Sequence, residues 1–144
     1  MTARELTLTV DEATQRLPLV RLIVRDIMEL TTDVHDREER LRDLRERYPE
    51  TDEQSPYSEE VLQMAESLDC DRGRIRDYEA ELHQVGAELA DAATGLVEFS
   101  STLDGVPVRL SWLPGEELVG HWRLVTEDPD ARRPLNTLSE SIGA

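Results

Sequence analysis

Val61, Leu68, Ile75, Leu82, Leu89 and Leu96 recur at a strict seven-residue interval. An apolar repeat of this period, sustained this long, predicts one long helix packed in coiled-coil fashion against a neighbour. The pattern assigns that helix to residues 58–93, with Gly95 as its terminator. The intervening positions of the repeat, Ala65, Arg72, Glu79, Gly86 and Ala93, are small or charged, so the packing on that side is uneven.

The neighbour is found upstream. Val20, Ile23, Val24, Ile27, Leu30, Val34, Leu41, Leu44 and Tyr48 are spaced by threes and fours along one helical face, and Arg37 fills the slot missing from that stripe. Thr9 and Glu12 form a capping box that starts this helix at Val10. Pro18 removes a helical hydrogen bond, so a bend without a true break is expected between Thr14 and Pro18, in a helix over 10–48. Residues 48–56 carry two prolines and read as the solvated turn of an antiparallel hairpin. Arms of roughly 50 Å leave apolar surface that a single intrachain partner does not cover. A homodimer that closes a four-helix core is therefore expected, with Val61, Leu68, Ile75, Leu82 and Leu89 at the interface.

After Gly95 the period changes to two. Leu96, Val97 and Phe99 begin a strand, Asp104-Gly105 is a hairpin signal, and Val106, Val108, Leu110 and Trp112 alternate as the returning strand. Pro107 cannot donate to a ladder, so the strand is an edge there. A further strand is expected over 118–125 and a short first strand over 5–9. The fold class is α+β: a long antiparallel two-helix hairpin with a small antiparallel sheet, over 96–125, at its base. The reading gives a single domain over 1–135, with 136–144 as a flexible tail.

Composition removes several function classes. The chain of 144 residues carries 32 acidic and 16 basic residues, a formal charge of -16, and every basic residue is Arg. A catalytic lysine is thus excluded, and nucleic acid is not an expected partner because a phosphate footprint needs clustered basic surface. One cysteine, Cys70, rules out an intrachain disulfide and a multi-thiolate zinc site. Neither a signal-peptide core nor an apolar run of membrane-spanning length occurs, so no membrane association and a cytoplasmic location are expected.

The carboxy-terminal half carries an ordered series of motifs: Gly86, Leu89, Asp91, Gly95-Leu96-Val97-Glu98-Phe99, Asp104-Gly105, Val108, Leu110, Trp112, Gly115-Glu116, Gly120, Trp122 and Arg133-Pro134-Leu135. Together with Leu8-Thr9, Glu12-Ala13 and Leu17-Pro18, this series resembles the uncharacterised bacterial family called domain of unknown function 2203. The resemblance implies no established activity. It does imply interest in one region, because members typically carry Cys-Trp where this chain has Ser111-Trp112 and Trp-His where it has Trp122-Arg123. A thiol, a carboxylate and an imidazole on adjacent strands would form a transition-metal or catalytic constellation. This chain lacks that Cys and that His, and His121 is the local substitute.

The first candidate site places Glu116, His121, Trp112, Trp122 and Arg123 around a shallow pocket in the sheet. Glu116 would serve as base or metal ligand, His121 as acid, base or ligand, Arg123 as an anion clamp and Ser111 as a donor. The bland alternative has the tryptophans packing the sheet on the helices and the charged residues pairing among themselves. A second cluster, Glu29, Asp33, His35 and Asp36 opposite Asp69, Cys70 and Asp71, would either bridge a divalent cation or form a solvated acidic face. Cys70 is expected to be a partly buried small hydrophobe and His83 a surface or seam residue. Arg132 and Arg133 would pair with the acidic arm of a partner subunit.

Two function classes remain open. An acidic, homo-oligomerising assembly or interaction protein without catalysis or cofactor, with a basic protein as possible partner, accounts for the long arm and the negative field. The alternative is a small ligand- or metal-binding protein or enzyme, using a divalent transition metal at the tryptophan-lined site.

Overall fold

The computed structural model describes residues 7–48 and 58–135. Helix α1 (Val10–Gln15) opens on the expected capping box, in which Thr9 Oγ1 accepts from Glu12 N–H at 3.1 Å and Glu12 Oε1 accepts from Thr9 N–H at 3.0 Å. The expected unbroken helix over 10–48 is corrected here. The chain leaves the helix at Arg16 and restarts as α2 (Leu17–Arg47), with Pro18 in its first turn. Proline is tolerated there because the first helical N–H groups have no intrahelical acceptor.

Helix α3 (Ser58–Gln84) returns along α2. It ends well before residue 93, because Gly86 adopts a φ of 83° and the chain turns into a strand, β1 (Ala87–Asp91). Leu89 and Leu96 thus continue the seven-residue count by coincidence, being strand residues. Ala87 is buried and Leu89 half-buried while Glu88 and Ala90 are exposed, so the working period there is two. Pairing with the next strand overrides the helix preference of Ala87-Glu88-Leu89-Ala90. Gly95 is a turn residue of this hairpin, not a helix terminator. It has a φ of 79°, and a Cβ there would stand 2.7 Å from both Met28 Sδ and Pro114 Cγ.

Strands β2 (Leu96–Leu103), β3 (Val106–Trp112), β4 (His121–Leu124) and β5 (Arg133–Pro134) complete an antiparallel sheet in the order β1-β2-β3-β4-β5. Asp104 and Gly105, both with positive φ, form the tight turn between β2 and β3. Pro107 lies opposite Thr102 of β2, and β4 begins to pair only at Val108, so the missing N–H leaves no gap in that ladder. The strand expected over 118–125 is shorter, and Arg133-Pro134, expected in an extended segment, adds an edge strand. The expected first strand reduces to a parallel bridge between Thr7 and Ser100, with Leu8 N–H donating to Ser100 O at 2.9 Å. Its residues 5 and 6, all but the first residue of the turn expected over 48–56, and the expected tail over 136–144 lie outside the described residues.

Two apolar clusters result. The basal one joins Leu17, Val20, Ile23, Val24 and Ile27 of α2 to Leu82, Val97, Phe99, Val108, Leu110, Trp112 and Trp122. The distal one, in the arm, contains among the described residues only Val34, Leu41, Val61 and Leu68 as buried residues, and Ile75 packs on both clusters. Arg37, in the gap of the α2 stripe, crosses the hairpin to Asp71 and donates to Asp33 and Ser67 at 2.9 Å each. Arg72 reaches back to Glu38 at 3.0 Å. Among the described residues no helix is long and apolar enough to cross a membrane.

Candidate functional site

Strand alternation divides the sheet chemically. Val97, Phe99, Val108, Leu110, Trp112 and Trp122 point into the basal core, which leaves Glu98, Ser111, His121, Arg109 and Arg123 on the opposite face. Register places Glu98 beside Ser111 and Ser111 beside His121, in one row across three strands. This face is not solvated in the ordinary way, since Glu98 and Ser111 are only 5% and 1% exposed.

Arg132, just before β5, organises one half of the face. Its Nε donates to Ser111 Oγ at 3.0 Å, and its terminal nitrogens reach both carboxylate oxygens of Glu116 at 2.8 and 3.2 Å. His121 Nδ1 stands 3.3 Å from Arg132 and 3.5 Å from Glu116 Oε2. Glu116 is held from its own loop as well: Leu113 N–H donates to its carboxylate and the Trp112 indole N–H to its carbonyl, both at 2.8 Å. Burial pushes the Glu116 carboxyl upward, but the bonds from Arg132 and Leu113 and the nearby His121 outweigh it, and the pKa falls below the ordinary value.

Arg123 belongs to the other half. It makes a two-pronged pair with Glu98 at 2.6 and 2.8 Å, with side chains 11% and 6% exposed. Hydrogen bonding to Glu98 raises its pKa against the opposing effect of burial. Next to it, Arg133 pairs with Glu127 and lies over the Trp122 ring, 5.2 Å from its centre.

The expected five-residue pocket is therefore corrected. Glu116 and His121 do meet, but Arg123 turns to Glu98, and Trp112 and Trp122 are each 1% exposed on the helix-packed face. Alternation separates them: neighbours along a strand point to opposite sides, so Trp122 cannot share a wall with both His121 and Arg123. Arg132 and Arg133, expected to reach a partner subunit, instead pair with Glu116 and Glu127 of the same chain. Glu98 is the residue that sequence reasoning passed over. Its signal was the single charged position in the apolar run Leu96-Val97-Glu98-Phe99, which must point away from the core.

On the arm, Asp33 and Asp71 converge on Arg37, Asp69 pairs with Arg72 at 2.9 Å, and His35 pairs with Glu39 at 3.2 Å. Among the described residues no group of three or more His, Cys, Asp or Glu is placed to hold a metal ion. Cys70 is exposed rather than partly buried, because two residues past Leu68 is more than half a turn away from the seam. The residues expected at a subunit interface are also largely committed. Val61, Leu68 and Leu82 are buried within the chain, Ile75 is half-buried, and Leu89 lies in β1. A shallow groove of about 300 Å³ beside α2 is lined by Asp26, Glu29, Leu30, Asp33, Arg74 and Tyr78.

The Glu127 carboxyl is lowered to about 2 by Arg133 and then by Leu124 N–H, and the base of the molecule is expected to be acid-sensitive. A group depressed on folding contributes stability above its unfolded value, and that contribution is lost as pH falls toward the folded one. Tryptophan emission followed from pH 6 to pH 2 is expected to change between about 4.5 and about 2, and Glu127→Gln to flatten the change. An unaltered profile in the variant would show that the pair does not carry the transition.

A family model described as Uncharacterized conserved protein (DUF2203) matches residues 7–135. No curated protein and no solved structure matches the chain.

Proposed function

Given that the chain belongs to the DUF2203 family of uncharacterized conserved proteins, we propose that it is a cytoplasmic, non-catalytic assembly protein whose helical arm joins a second copy of itself. The observation that carries this reading is the thinness of the distal core. Among the described residues over the outer length of two long helices, only Val34, Leu41, Val61 and Leu68 are buried, and Leu30, Leu44, Met64 and Ala65 are half-buried around them. Each such residue contributes its full transfer free energy only when a further surface covers it.

The polar face of the sheet supports the same reading. Glu116, His121, Ser111 and Arg132 use their hydrogen-bonding groups on one another, and Glu98 and Arg123 do likewise. A ligand entering there would have to displace Arg132 from a charged acceptor, an exchange that recovers little. The net charge of -16 keeps the assembly soluble and favours a basic protein as any further partner.

Sedimentation velocity on untagged protein at micromolar concentration tests the proposal. The expected result is a species of twice the chain mass of 16.4 kDa. A single monomer species across that concentration range would overturn it.

A further inference from the structure

We infer that the exposed stripe of α2 running from Leu19 to Arg47 is the surface on which the second copy docks, the two α2 helices lying antiparallel across a twofold axis at Asp33. This inference rests on the assembly reading and names its surface. Steps of about 100° per residue gather Leu19, Leu22, Asp26, Glu29, Asp33, Arg37, Arg40, Leu44 and Arg47 within roughly 80° of the helix circumference, and of these Asp26, Arg37 and Leu44 are half-buried and the other six exposed. Leu19 and Leu22 are 48% and 52% exposed, one turn apart, although Val20, Ile23 and Val24 between and beside them are buried. These two side chains form a small contiguous apolar patch at the basal end of the stripe.

Charge along the stripe fixes the direction of the partner. Its basal half carries Asp26, Glu29 and Asp33, and its distal half carries Arg37, Arg40 and Arg47. A parallel copy would set acid on acid. An antiparallel copy centred on Asp33 sets Leu22 toward Leu44 and Asp26 on Arg40 in one register, each contact occurring twice by symmetry, while Arg37 stays with Asp33 and Asp71 of its own chain. Among the described residues Arg40 has no ion-pair partner within its own chain and Asp26 has only Arg25 at 3.9 Å, so both charges are available. At the axis itself each Asp33 is already neutralised by Arg37 of its own chain at 2.9 Å. The outer face of α3 is unsuited to the same role: Glu59, Glu66, Asp77 and Glu81 line it, all exposed, and would repel their own copies. The α2 stripe is roughly 42 Å long, the scale on which an interface of about 800 Å² per partner is built.

Two single variants, Asp26→Arg and Arg40→Glu, test the register. Both positions lie outside the two apolar clusters, and circular dichroism verifies that each variant is helical. Each homodimer would carry two like-charge contacts and is expected to dissociate at least about tenfold more readily than wild type. Mixed in equal amounts, the two variants restore opposite charges at both contacts. The arginine introduced into one chain faces the glutamate introduced into the other, and the unchanged Arg40 of the first faces the unchanged Asp26 of the second. Native mass spectrometry is therefore expected to show the heterodimer in large excess over either homodimer. A dimeric wild type whose variants dimerise equally well, or mix without preference, overturns this surface and leaves the assembly reading standing. A monomeric wild type overturns both.

Discussion

Glu98→Ala is expected to destabilise the protein by about 3–5 kcal/mol, because it leaves the Arg123 guanidinium buried against the sheet without its counter-charge. That loss is a large share of the roughly 5–15 kcal/mol that holds an ordinary domain together. The reverse substitution, Arg123→Ala, strands Glu98 and carries a penalty of similar size. Replacing both together, Glu98→Leu with Arg123→Met, is expected to recover most of the stability, since neither desolvated charge is then present. Urea unfolding of the four proteins gives the comparison directly. Single variants within about 1 kcal/mol of wild type would mean that water reaches this pair and screens it.

Trp112→Ala is expected to lower stability by about 3–5 kcal/mol, by the combined loss of transfer free energy and creation of a cavity. The ring is among the largest fully buried side chains, and its N–H donates to Glu116 O at 2.8 Å. Arg21 covers the ring, 5.9 Å from its centre, and donates to Glu117 O at 2.7 Å, so one side chain ties the base of α2 to the loop that presents Glu116. Trp112→Phe keeps an aromatic ring but loses the donor and is expected to fall between the two. Thermal melts followed by circular dichroism should place alanine lowest by roughly 10–15 °C. A phenylalanine variant as unstable as alanine would assign the effect to the hydrogen bond instead of the buried volume.

The sequence was most readable where a local rule had no competitor. Thr9 with Glu12 announced a helix start, Asp104-Gly105 announced a tight turn, and the alternation from Val106 to Trp112 announced which side chains enter the core. It misled where two periodicities overlapped. Leu82, Leu89 and Leu96 keep a seven-residue interval across the helix end, and nothing local separates that count from a strand beginning at Ala87. The glycine that decides the matter is Gly86, whose positive φ is a property of the fold and not of its neighbours in sequence.

The candidate site was half readable for a different reason. Glu116 and His121 were identified as a pair by residue type, but their arrangement depends on Arg132, which reaches them only because β5 folds back beside β4. Arg123 was read as an anion clamp or as a partner of nearby acids, and that the acid is Glu98 follows from the register of β2, β3 and β4, a quantity that side-chain chemistry alone does not encode. The expectation of a homodimer surface followed the same logic. A heptad names the residues that want covering, yet it does not say whether the cover is the other arm of the hairpin or a second chain.

Ile75, packed on both apolar clusters, is more than a spacer between them. It is a narrow bridge joining a broad cooperative unit at the base to a slender one in the arm, and units so joined open with different free energies. Amide hydrogen exchange is therefore expected to be faster in the arm than in the sheet. Anything that clasps the closed arm from outside would suppress that opening, which makes the distal helices a place where binding is felt as a change of lifetime before it is seen as a change of shape.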